Sequence, residues 1–167
     1  MRLGRRIGSS VAALAIAGTL AACGPGTVAG PAPAGGGGCA GGPPDGTAAA
    51  IFDATNASRA SAGLPALQWD AQLSCLASEW SKVQGDSGSM YHRDLGAVLA
   101  SSDYVSYQTI GENVLQGPAD MSGSAMHSAW MNSPEHRANI LSGAFSSFAV
   151  AVYYANGQVW ATENFGG

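Results

Sequence analysis

Residues 147–165 read SFAVAVYYANGQVWATENF. Phe148, Val150, Val152 and Tyr154 recur with period two, as do Val159, Ala161, Glu163 and Phe165 after them. That is the period at which side chains alternate across a strand. Between the two runs sits Asn156-Gly157, the pair that suits a type I′ turn because both central residues must take positive φ. The stretch predicts an antiparallel β-hairpin at the end of the chain.

Helical patterns precede it. Residues 47–62 place Ile51, Ala54, Thr55 and Ser58 on one face, with Gly63 and Pro65 as stop signals. Asp70 is the expected N-cap of a second helix, in which Leu73, Leu76, Ala77, Trp80 and Val83 follow the helical period as far as Gly85. Residues 94–100 read as a further helical turn or two, and residues 108–115 as a strand interrupted at Gly111. Asp120 or Ser122 starts a third long helix with Met121, Ala125, Ala129 and Trp130 along one side, and Ser133-Pro134 restarts the chain as a shorter one. Helices first and a hairpin last imply a layered α+β fold.

Arg2, Arg5 and Arg6 precede an apolar run from Val11 to Leu20 that closes on Leu20-Ala21-Ala22-Cys23. The run falls short of the about 20 residues of a spanning helix. With small residues at its end, residues 1–22 have the form of a secretory signal peptide. That end resembles a bacterial lipobox, which would leave Cys23 as the acylated first residue of an extracytoplasmic lipoprotein. Ordinary cleavage and secretion, with a coincidental cysteine, is the alternative. Residues 23–46 are rich in Gly, Pro and Ala and read as a tether spanning about 25 to 30 Å if it behaves as a flexible coil. Of the chain's 167 residues, the 145 beyond the signal peptide are the size of one domain with an ordinary core, which would occupy residues 47–167.

Beyond residue 22 the bases are Arg59, Lys82, Arg93 and Arg137, against all eleven acids of the chain. Without a basic stripe there is nothing to neutralise phosphates, which argues against nucleic acid as a partner. Membrane attachment would fall to lipid on Cys23 and not to a polybasic patch. With Cys23 acylated, Cys39 and Cys75 remain. An oxidising compartment favours a bridge between them, tying the tether to the domain, over two free thiols.

Candidate functional residues lie in three separate places. Ser133 is placed to accept a backbone N–H as N-cap, Pro134 suits the first helical position, and Glu135 favours the positive end of the helix dipole. Together they would hold His136 at a fixed angle. Gly111-Glu112-Asn113 and Met90-Tyr91-His92 lie upstream, so His92, Glu112 and His136 are spaced for a cleft and not for a local clip. Asn139 is expected to hydrogen-bond backbone, Arg137 to pair with a loop acid or cover apolar surface with its stem, and His127 to pack or cap instead of ligating. Gly85-Asp86-Ser87-Gly88 repeats the string around the nucleophile of chymotrypsin-like proteases. Those are double β-barrels, and a turn of Gly, Asp and Ser after a helix accounts for it here.

His92, GENV at 111–114, HSAWMNSPEHRANIL at 127–141 and TENFG at 162–166 together resemble a bacterial member of the CAP superfamily, also called the SCP or cysteine-rich secretory, antigen 5 and pathogenesis-related family. The resemblance covers residues 47–167. It implies a three-layer α-β-α sandwich and a cleft of two histidines and acidic groups, where some members bind a divalent metal such as zinc. His92 and His136 match the histidines and Glu112 the glutamate of the GEN motif. A second glutamate of many eukaryotic members falls at Ser133, a poor metal ligand, with Glu135 and Asn113 as neighbours. Two imidazoles and a carboxylate suit zinc with an open water position, although no local spacing fixes them. A hydrogen-bonded network in which Glu112 accepts from an imidazole is the other reading. The expected function is ligand binding, of a small molecule, lipid or envelope component, with no catalytic residue assigned. A metal-dependent hydrolase using Glu112 as base and a structural or adhesion module are the alternatives.

Overall fold

The computed structural model describes Gly42, residues 46–101 and residues 107–167. The expected signal peptide, the acylation site Cys23, and Cys39 lie outside these residues. The hairpin forms where its pattern places it: β3 (Ser147–Ala155) and β4 (Gln158–Gly166) pair antiparallel from Ala155 opposite Gln158 to Ser147 opposite Gly166. Asn156 at φ 53° and Gly157 at φ 73° supply the two left-handed residues that the two-residue turn requires.

β4 has a second partner on its far side, β2 (Ile110–Pro118), antiparallel from Ile110 opposite Gly166 to Pro118 opposite Gln158. A two-residue strand that the sequence does not announce, β1 (Gln68–Trp69), joins parallel to β3 and completes the order β1-β3-β4-β2. β4 is therefore central, and residues 159–166 are all buried. Its alternation sorts side chains between two covered faces instead of between core and solvent.

On one face Phe148, Val150, Val159, Ala161 and Phe165 pack with Ile51 of α1 (Thr47–Ser61), Met126 and Trp130 of α4 (Gly123–Asn132) and Ile140 of α5 (Pro134–Ile140). On the other, Ala149 packs with Leu73 and Leu76 of α2 (Ala71–Ser87) and Val98 of α3 (Leu95–Ala100). The result is the three-layer α-β-α arrangement of an α+β fold. Asp70 caps α2 by accepting from the Gln72 and Leu73 amides at 2.8 and 2.9 Å. Ser122, not Asp120, caps α4 by accepting from Ala125 N at 3.2 Å.

Several expectations are corrected. Gly85 does not end α2, which runs on to Ser87 and closes on Gly88 at φ 67°. A Cβ on Gly85 would stand 2.5 Å from Tyr153 Cδ1, so this glycine lets the helix lie close against the sheet. The string Gly85-Asp86-Ser87-Gly88 is thus the last helical turn and its cap. Val83 is exposed, and Ser81 and Gln84 take the buried side of α2. On α4 the buried face is Gly123, Met126, His127 and Trp130, while Ala125 and Ala129 are exposed. Gly111 does not interrupt β2 but pairs with Phe165, and a side chain there would meet the Phe145 ring at 2.8 Å.

Arg59 is fully buried in α1. It donates from Nε to Pro65 O at 3.0 Å, and from Nη1 to Ile140 O at 2.9 Å and Ser142 O at 2.7 Å. Burial lowers its pKa. Cys75 on α2 is disulfide-bonded.

Candidate functional site

β2 is an edge strand, and it delivers Glu112 and Asn113 to opposite faces of the sheet because neighbours in a strand point opposite ways. Glu112 lies across from Asn164 of β4, and Asn113 across from Glu163. The Glu112 side chain is 0% exposed, and its Oε1 accepts from His92 Nδ1 at 2.9 Å and from Arg93 N at 3.0 Å. Oε2 accepts from Asn164 Nδ2 at 3.5 Å. His92 is 56% exposed, so a carboxylate with no solvent contact holds a ring that faces outward.

The loop carrying His92 is held by its backbone. Trp80 Nε1 donates to Tyr91 O at 2.9 Å, and Tyr91 N donates to Gln84 Oε1 at 3.2 Å. Trp80 meets the Tyr91 ring edge-on, and the Arg93 guanidinium lies 4.8 Å from the Trp80 ring. These aromatic and cation–π contacts each contribute about 0.5 to 1 kcal/mol. His92 therefore has a fixed base.

His136 approaches from α5. Its ring centroid is 6.4 Å from that of His92, at an interplanar angle of 52°. Asn113 Nδ2 donates to His136 O at 3.1 Å and to Glu163 Oε2 at 2.8 Å, while Asn139 Nδ2 donates to Glu112 O at 3.2 Å and Asn113 Oδ1 at 2.9 Å. The asparagines thus fasten α5 to the strand, and Asn139 bonds backbone as expected. The His136 pKa is lowered, first by burial and then by His92, with Glu135 acting in the opposite direction.

Ser133 does not act as a side-chain cap of α5. Its hydroxyl donates to Glu135 Oε2 at 3.3 Å, so these two residues satisfy each other at the helix entrance. His127 packs: it is buried, its Nε2 lies 2.7 Å from Ser58 Oγ, and its Nδ1 lies 3.3 Å from Thr55 Oγ1. Arg137 lines an open cleft with Ser58, Met131 and Leu141.

A zinc ion bound at about 2.0–2.1 Å by two ring nitrogens in tetrahedral geometry brings the ring centroids to about 5 Å, so the 6.4 Å separation is wider than a closed site. Among the described residues no group of three or more His, Cys, Asp or Glu has an arrangement that could hold a metal. As arranged, Glu112 is hydrogen-bonded to His92, and the His136 ring stands beside that pair, tied to the strand through its backbone carbonyl. Sequence reasoning missed Asn164, Thr55 and Glu163 as members of this polar layer. The signal was an acid, Glu163, standing in the inward register between Ala161 and Phe165.

No helix among the described residues is long and apolar enough to cross a membrane. The chain is 33% identical over 120 residues to the uncharacterized protein YkwD of Bacillus subtilis (strain 168), a match covering 70% of this chain and 46% of that protein. This chain thus spans less than half the length of that relative. The crystal structure of an extracellular SCP-domain protein from Bacillus anthracis str. Ames superposes with a TM-score of 0.62 at 33% identity, over 72% of this chain and 40% of that one. An outer surface protein of Borrelia burgdorferi shares the fold with a TM-score of 0.61 at 18% identity, over 70% of this chain and 88% of its own. The model of the cysteine-rich secretory protein family matches residues 52–165, a span that begins within α1 and ends within β4, and the chain belongs to that family, the CAP family.

Proposed function

We propose that this CAP-domain protein is exported to the cell envelope and binds a small-molecule, lipid or envelope ligand at the β2 edge, between His92 and His136. The observation that supports binding over catalysis is the state of Glu112. A general base needs a lone pair facing substrate or water, whereas both Glu112 oxygens accept from protein donors and its side chain has no solvent contact. What is left for a ligand is two imidazoles, one largely exposed, with Met90 and Tyr91 exposed beside them.

A divalent metal, zinc included, would be held by His92 and His136, with water or ligand completing its shell. Two protein ligands hold zinc less firmly than the three of a catalytic site. Glu112, bonded to His92 Nδ1, would orient that ring from outside the metal's shell. Lipid attachment at Cys23, with residues 23–46 as tether and a Cys39–Cys75 bridge at its end, belongs to the same proposal. The descriptions of the Bacillus anthracis relative as extracellular and of the Borrelia protein as an outer surface protein support the compartment.

The test follows the imidazole NMR signals of His92 and His136 while zinc chloride and, separately, phosphatidylglycerol vesicles are added. Saturable shifts of these two signals with either probe, while the signal of the buried His127 stays fixed, are expected. Signals that stay fixed with both probes overturn the reading. Mass spectrometry of the mature protein should find Cys23 acylated, and an unmodified Cys23 ends the anchoring claim.

A further inference from the structure

Ser58 lies on α1 where α4 packs against it, and its Oγ is 2.7 Å from Nε2 of His127. The other ring nitrogen, Nδ1, lies 3.3 Å from Thr55 Oγ1, and Thr55 in turn donates to Glu163 Oε1 at 3.3 Å. A hydroxyl has one proton, so a Thr55 that donates to Glu163 accepts from Nδ1–H. That leaves the Nε2 lone pair facing the Ser58 hydroxyl. His127 is buried, but Ser58 is half-buried and lines an open cleft of about 410 Å³ with Ser61, Met131, Arg137 and Leu141. A hydroxyl in a cleft, an imidazole within hydrogen-bond reach, and a third group fixing the imidazole's tautomer are the parts of an activated nucleophile. Glu163 also accepts from Asn113, which links this chain of groups to the His92–Glu112–His136 edge without placing Ser58 or His127 on it.

We propose that Ser58 is a catalytic nucleophile toward uncharged carboxylic esters, with His127 as its base and Thr55 and Glu163 as positioning residues. Ser58 Oγ attacks the ester carbonyl carbon as its proton passes to His127 Nε2, and the carbonyl electron pair moves onto oxygen. Arg137 places a cation in the same cleft for that oxygen, while Met131 and Leu141 offer apolar surface to the acyl chain. Collapse breaks the carbon–oxygen bond to the alcohol, which leaves with the proton from Nε2. A solvent water then attacks the acyl-Ser58 ester, gives its proton to Nε2, and releases the carboxylic acid as the proton returns to Ser58 Oγ. The net reaction is ester plus water to acid plus alcohol.

The experiment exposes the full-length protein to an alkyl fluorophosphonate, whose phosphorus captures an activated serine with loss of fluoride. Labelling is run at pH 9, where the Glu163 carboxyl, pushed up to about 8 by burial, only accepts hydrogen bonds. Peptide mapping should find one adduct on Ser58, none in Ser58→Ala, and labelling slower by about 100-fold or more in His127→Gln, the range for loss of a general base. Circular dichroism checks that each variant is folded. If folded wild type gains no adduct on Ser58, or if folded His127→Gln labels as fast as wild type, the proposal fails. The wild-type result alone is decisive should the His127 variant not fold.

Discussion

Glu112 holds three donors from a position with no solvent contact: the His92 ring, the Arg93 amide and, more distantly, the Asn164 amide. Glu112→Ala removes the acceptor and leaves the Arg93 N–H without its partner. The expected cost is about 2 kcal/mol, read as a lower urea midpoint at an unchanged slope. The His92 ring should also gain freedom, seen as sharpening of its imidazole NMR signal. Glu112→Gln keeps one acceptor oxygen but loses the charge, so its cost should fall to about half. If Glu112→Ala unfolds at the wild-type urea concentration, the carboxylate is not the clamp the geometry describes. At this scale much of the site was legible, because His92, Glu112 and His136 stand in short motifs of unusual residues. What could not be read was the direction each faces. Glu112 and Asn113 are adjacent in sequence yet serve opposite faces of the sheet, and that follows only once β2 has a register against β4.

Caps and close approaches decide how the elements begin and meet. Ser122 accepts from the Ala125 amide, whereas Ser133 makes no cap hydrogen bond. Ser122→Ala should therefore cost about 1 kcal/mol and Ser133→Ala less than about 0.5 kcal/mol, a ranking that urea melts of the two variants measure. Arg59 links α1 to the end of α5 through the carbonyls of Ile140 and Ser142. Arg59→Met keeps the volume but leaves those buried acceptors unpaired, at about 3 kcal/mol or more. Thermal unfolding should register this as the largest drop among the helix variants, and a near-native Tm would remove Arg59 from that role. The helices and the hairpin were legible because each is written in local periodicity, caps and turn residues. β1 was not, since two residues carry no period and gain a partner only when β3 is already in place. The buried sides of α2 and α4 were partly misread for a related reason. Ser81, Gln84 and His127 are buried beside polar partners, while the small apolar Ala125 and Ala129 tolerate solvent.

For the molecule as a whole, layering on both faces of the sheet places an ionisable group in the core. Glu163 is fully buried, and its pKa is pushed up from 4.5 to about 8, burial outweighing the hydrogen bonds from Asn113 and Thr55 that act the other way. The sequence showed this acid in an inward register but not the helices that seal it. The folded state favours the protonated carboxyl, so its contribution to stability is complete below about pH 4.5 and is lost as pH rises through about 8. His127 and His136 act oppositely. Burial lowers both pKa values from 6.5, so folding favours their neutral forms, and their contribution is present above pH 6.5 and lost as pH falls. Just below pH 6.5 the two slopes oppose each other, and between 6.5 and 8 the Glu163 slope is the one of these three that remains. Stability of the wild type should therefore fall by about 1 to 2 kcal/mol over that upper window, at about 1.4 kcal/mol per pH unit where the slope is full. Glu163→Gln can accept from Asn113 with its carbonyl and donate to Thr55 with its amide, and it has no proton to lose. Urea melts at closely spaced pH values should show a declining midpoint for wild type and a flat one for Glu163→Gln from pH 6.5 to 8. Parallel declines in both proteins would mean that another group carries the alkaline loss.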